Sequence, residues 1–152
     1  MKQILFALLF FFAIFTLQAQ EPKRVQAFNL EKGVAVKGYD VVAYFKDGKA
    51  VKGSSSLAVA YRDVKYYFST VANKEEFKAN AAKYEPQYGG WCAYAMGATG
   101  DKVDFDPETF KVVNGKLYLF YNRFLNNTLP KWNKDEASLR VKADNNWKKF
   151  TN

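Results

Sequence analysis

Residues 57–84 read LAVAYRDVKYYFSTVANKEEFKANAAKY, and the fold is decided in this stretch, where a short-period pattern gives way to a helical one. Residues 57–61 and 65–69 are rich in Val, Tyr and Phe and read as two strands around Arg62-Asp63-Val64. Asn73, with Glu76 three residues on, matches a capping box and predicts a helix over roughly 74–84. Phe77, Ala81 and Tyr84 then fall at i, i+4 and i+7, which makes one apolar face.

The same alternation of strands, turns and helices continues on either side. Lys46-Asp47-Gly48-Lys49 is a turn separating the apolar run 41–45 from Ala50 and Val51. Asn114-Gly115 stands between residues 109–113 and 116–121, and this dipeptide predicts a hairpin because both central residues of its turn take positive φ. Leu139, Ala143, Trp147 and Phe150 repeat the helical spacing, so residues 135–150 read as an amphipathic helix. No regular βαβ alternation is present. The expected class is therefore α+β, with a small antiparallel sheet and hairpins, a central helix and a C-terminal amphipathic helix.

Ahead of this domain lies a different kind of segment. Lys2 precedes residues 4–17, a run of 14 that is nearly all Leu, Phe, Ile and Ala and ends at Gln18-Ala19-Gln20. A bilayer span needs roughly 20 residues, whereas this length and its flanks fit a signal peptide over residues 1–19. The expected product is residues 20–152, periplasmic or secreted, with no membrane span after cleavage. The rival reading is an uncleaved anchor. Removing residues 1–19 takes away Lys2 alone among charged residues, so the net charge falls from +8 to +7.

Composition excludes several chemistries. The 152 residues contain no histidine and one cysteine. Ser-His-Asp and Cys-His catalytic couples, His metal ligands, an internal disulfide and a CxxC pair are all ruled out. The 23 basic residues are interleaved with 15 acidic ones, without a block of five like charges, and no nucleic-acid-binding motif accompanies them. That pattern reads as a solvated basic surface, and nucleic acid is not an expected partner.

Four motifs in order resemble the YHS domain family: Gly38-Tyr39-Asp40-Val41-Val42-Ala43-Tyr44-Phe45, then Lys65-Tyr66-Tyr67-Phe68-Ser69 with Asn73 to Asn80, then Tyr88-Gly89-Gly90-Trp91-Cys92-Ala93-Tyr94, then Asn114-Gly115-Lys116-Leu117-Tyr118-Leu119. The last two look like a longer exported bacterial branch, and the resemblance covers residues 28–147. It implies heavy-metal handling, because metal-binding members carry cysteines in this scaffold. The positions matching those cysteines here are Ala43, Ser69 and Asn73. A soft ion such as Cu(I) needs thiolate or thioether donors, so tight copper or zinc binding is not expected there.

Cys92 is the remaining chemical handle, and three roles stand open for it: buried packing, a reactive thiol, or a soft-metal ligand. In a helix Cys92 and Met96 share a face, and in a strand Cys92, Tyr94 and Met96 do, so either geometry pairs the two sulfurs as a candidate copper site. Tyr39, Tyr44, Tyr88 and Tyr94, with Tyr66 and Tyr67, could line an aromatic pocket or form the core of a Tyr-rich domain. Asp101, Asp104, Asp106 and Glu108 fall short of a calcium loop: counting from Asp104, the positions that need Gly and Glu hold Thr109 and Gly115. The expected function is a non-catalytic binding module holding a small ligand or a soft metal near Cys92 and the tyrosines. The alternative is a thiol-based redox enzyme or sensor that uses Cys92. The chain supplies no nearby activating partner for such a thiol, which points away from an enzyme.

Overall fold

The computed structural model describes residues 21–152; the expected signal segment lies outside them. The chain runs α1 (Glu21–Ala27), β1 (Leu30–Glu31), β2 (Val34–Ala35), a 3-10 turn (Val36–Gly38), α2 (Val41–Lys46), β3 (Ser54–Tyr61), β4 (Val64–Phe68) and α3 (Val71–Tyr84). A second 3-10 turn (Gln87–Gly90) leads to α4 (Ala93–Ala98), β5 (Asp106–Val113), β6 (Lys116–Phe120), β7 (Asn122–Arg123), β8 (Asn126–Asn127), α5 (Leu129–Lys134) and α6 (Glu136–Thr151). The sheet order is β1-β2-β4-β3, with β2 and β4 parallel and the other pairs antiparallel. Two further hairpins, β5–β6 and β7–β8, stand apart from it. The class is α+β, with the C-terminal helix in place. Among the described residues no helix is long and apolar enough to cross a membrane.

The predicted β3–β4 pair forms with Tyr61 opposite Val64, so Val64 belongs to the strand and only Arg62 and Asp63 make the turn. Residues 41–45, ahead of the Lys46–Lys49 turn, are helical. Asp40 Oδ1 accepts hydrogen bonds from Val42 N and Ala43 N (2.9 and 3.3 Å) and so starts α2.

α3 also starts earlier than the spacing suggested. Thr70 is its cap, with Oγ1 accepting from Asn73 N at 3.0 Å. The expected capping box is not formed, because the Asn73 side chain is drawn to Asp40 and Glu76 accepts instead from Tyr84 Oη. The predicted apolar face is present: Phe77, Ala81 and Tyr84 are all buried.

Four hairpins turn on two residues that both take positive φ: Lys32-Gly33, Arg62-Asp63, Asn114-Gly115 and Phe124-Leu125. Their handedness matches the twist of the strands they join. For a residue with a Cβ the left-handed conformation costs about 1–2 kcal/mol. Asn-Gly and Lys-Gly lower that cost, whereas Phe124-Leu125 bears it in full.

Two apolar clusters form the interior. The first gathers Val41, Val42, Tyr44, Tyr66, Phe68, Phe77, Leu117 and Leu119 among others; the second gathers Tyr88, Ala93, Met96, Tyr118, Phe120, Trp132, Leu139 and Ala143. In α6, Leu139 and Ala143 are buried while Trp147 and Phe150 are half-buried, as the sequence spacing requires. α4 and α6 touch backbone to backbone. A Cβ added at Gly97 would lie 2.5 Å from the carbonyl oxygen of Leu139, so only glycine permits this approach.

Candidate functional site

Cys92 lies at the start of α4, and Met96 N donates to its carbonyl at 3.0 Å, so the helical of the two sequence readings holds. The Cys92 side chain is fully buried. Its Sγ accepts from Tyr121 N at 3.3 Å and lies 3.4 Å from Thr128 Oγ1. Thr128 itself donates to the Tyr121 carbonyl from both N (3.0 Å) and Oγ1 (2.9 Å). The sulfur is therefore stitched into the neck of the β7–β8 hairpin. Met96, fully buried one turn on, packs in the second cluster.

Burial of this kind has a measurable consequence. Folded protein should react with iodoacetamide orders of magnitude more slowly than denatured protein, because the reagent must reach a sulfur that local opening alone exposes. Cys92→Ala should lower stability by about 1–3 kcal/mol through lost packing. Fast native alkylation, followed by mass spectrometry, would instead mark an accessible thiol.

The tyrosines divide between the two clusters. Tyr44 is buried in the first, its hydroxyl donating to the Pro107 carbonyl at 2.9 Å, and Tyr39 packs against it half-buried, with Lys52 Nζ 4.5 Å from its ring centre. Tyr88 is buried in the second, and Tyr94 packs there half-buried, its ring centre 6.0 Å from Lys131 Nζ. Tyr66 lies in the first cluster.

Asp40, passed over in the sequence as a functional group, is a buried hub. Its Oδ2 accepts from Ser69 N (2.8 Å), Ser69 Oγ (2.6 Å) and Asn73 Nδ2 (2.8 Å), while Oδ1 serves α2. Ala43, Ser69 and Asn73, the positions at which the YHS resemblance places cysteines, thus meet on one carboxylate. Five donors fill the roughly four lone-pair sites of a carboxylate, so no lone pair is left directed at a cation. The sequence signal was the Asp40 position directly ahead of an apolar run, which is where a helix cap belongs.

A cleft of about 420 Å³ opens between α1, the Gln87–Gly90 turn and α6. Phe28, Pro86 and Trp147 give it an apolar wall, and Arg24, Glu85, Asp144 and Lys148 supply charge. Arg24 pairs with Glu85 and lies over Phe28, its guanidinium carbon 4.2 Å from the ring centre. Tyr66 Oη donates to Glu85 Oε1 at 2.6 Å, and Tyr88 Oη donates to Asp144 Oδ1 at 2.9 Å. Burial, reinforced by those carboxylates, pushes both phenols well above their ordinary pKa, so both remain O–H donors across the working range of pH. Each carboxylate is thereby held in one orientation by a neutral tyrosine. Gly89 floors the cleft with φ +59°; a Cβ there would meet Trp147 at 2.8 Å. Of the tyrosines singled out in the sequence as ligand candidates, Tyr88 lines this cleft. Arg24, Glu85 and Asp144 escaped sequence reading because they lie far apart along the chain and match no motif.

No protein-family model, curated protein or solved structure matches this chain.

Proposed function

We propose that the chain is an exported, non-catalytic binding module of the YHS type, and that its ligand is a small amphipathic molecule seated in the α1–α6 cleft. The observation that carries this reading is the pairing, in one cleft, of an apolar wall with carboxylates fixed by buried tyrosine hydroxyls. Small-molecule sites join apolar walls to placed polar groups in a volume of roughly 300–1,000 Å³; this cleft is of that size, with its lining divided evenly between polar and apolar surface. The cleft shares Tyr88 with the segment leading into Cys92, which keeps the ligand near the region first singled out. A soft metal at Cys92 and Met96 would have to displace both neighbours of Sγ, and a thiol enzyme would need a reagent to reach a buried sulfur. The geometry therefore favours the cleft over either of them.

Native mass spectrometry of protein purified from its own cells tests the proposal. The expected result is a bound organic mass that is lost on denaturation and missing from Ala82→Trp, which fills the cleft from an exposed helix position and leaves the melting temperature unchanged. A bare protein mass, or a bound metal ion removed by Cys92→Ala, would overturn it.

A further inference from the structure

The tip of the β7–β8 hairpin has no explanation within the fold. Phe124 and Leu125 are 91% and 108% exposed, higher than any other large apolar residues described. They are also the two central residues of a turn that demands positive φ (53° and 62°), where the other three hairpins place glycine or polar residues. This turn would form more readily with Asn-Gly. Strain of this kind, together with full exposure, marks residues kept for an interaction rather than for folding.

The hairpin is also tied at its base. Its neck is closed by the Thr128–Tyr121–Cys92 hydrogen bonds, Asn122 Nδ2 donates to Thr109 Oγ1 at 3.0 Å, and Lys131 Nζ donates to Asn126 Oδ1 at 2.7 Å. A preorganised hairpin loses little entropy on binding.

Charge selects the partner. From residue 121 to residue 134 the chain carries three basic residues, Arg123, Lys131 and Lys134, and no acidic one. Arg123 adjoins the tip, half exposed while it reaches Asp104 at 3.4 Å, and Lys131 is exposed beside it. A convex tip of two residues cannot itself build the roughly 800 Å² per partner of a stable protein interface. A lipid surface needs no matching shape: it yields around two apolar side chains while its headgroups meet the cations.

We propose that Phe124 and Leu125 insert into the interface of an anionic lipid bilayer, with Arg123 and Lys131 against the headgroups. The test is co-sedimentation with phosphatidylglycerol–phosphatidylcholine vesicles, comparing the native chain and Phe124→Asn/Leu125→Gly in the same N-terminal form. Native protein should partition onto anionic vesicles, and less so in high salt. The double variant should lose about a hundredfold in partition, since burying each apolar side chain contributes about tenfold or more. Its melting temperature should be equal or higher, because Asn-Gly suits the turn. A fluorophore on Leu125→Cys should shift to the blue on anionic vesicles. Native protein that does not partition, or a variant that partitions equally, overturns the proposal. So does a tip-dependent dimer in sedimentation velocity without vesicle binding, which would assign the tip to a second copy of this chain.

Discussion

Replacing Asp40 with alanine is expected to lower stability by about 4–5 kcal/mol, at the upper end for a single substitution. The reason is the number of donors left behind. Val42 N, Ala43 N, Ser69 N, Ser69 Oγ and Asn73 Nδ2 all point at the missing carboxylate. An unpaired buried donor costs about 1–3 kcal/mol, and water entering the gap would rescue only some of them. Asn should be almost as damaging, because its amide turns two donors toward a site built of donors. Urea unfolding of the three proteins checks both statements. A midpoint for Asp40→Asn close to the native one would show that the hub tolerates a neutral acceptor.

Trp132→Ala should cost about 3–5 kcal/mol, the range for emptying a large aromatic site. Trp132 is fully buried, with its ring centre 5.6 Å from those of both Tyr118 and Phe120. Trp132→Phe is the informative companion. The indole Nε1–H is buried without a hydrogen-bond partner among the described residues, so losing it removes a penalty while the smaller ring loses volume. The expected cost is about 1–2 kcal/mol, well below that of Trp132→Ala, because most of the ring volume is kept and the unpaired donor is removed. Thermal unfolding of both variants measures the difference. Equal losses would mean that the indole nitrogen is satisfied in solution.

Local signals in the sequence reached as far as local physics does. The Asn114-Gly115 hairpin, the β3–β4 pair and α6 follow from turn chemistry and side-chain periodicity, which need only neighbours along the chain. Thr70 and Asn73 are both good caps for α3, so local chemistry does not choose between them. The choice between them is made by Asp40, thirty-three positions upstream. α2 is a different case: its residues, Val41–Lys46, favour strands by composition, and the local signal against that is the cap Asp40 directly ahead of them. The Phe124-Leu125 turn has no turn residues at all and follows only from strand register. At the candidate site, the sequence leaves three roles open for Cys92, and the choice of burial among them comes from Tyr121 and Thr128, about thirty positions or more away. The cleft did not show, because its charges come from three separate segments, with Arg24 and Glu85 alone sixty-one positions apart.

Strand β6 has a bearing on how the molecule comes apart. Leu117 and Leu119 face the first cluster, Tyr118 and Phe120 the second, and all four are at most 1% exposed. One strand is thus a party wall between two interiors. A slip of one residue would send every side chain to the wrong room, so β6 admits a single register. Opening either interior strips packing from one face of the strand on which the other interior rests, so the two are coupled through β6. Hydrogen exchange should therefore find the β6 amides among the slowest in the protein. The two clusters should melt together as one cooperative unit, rather than as the two subdomains that their separate membership suggests.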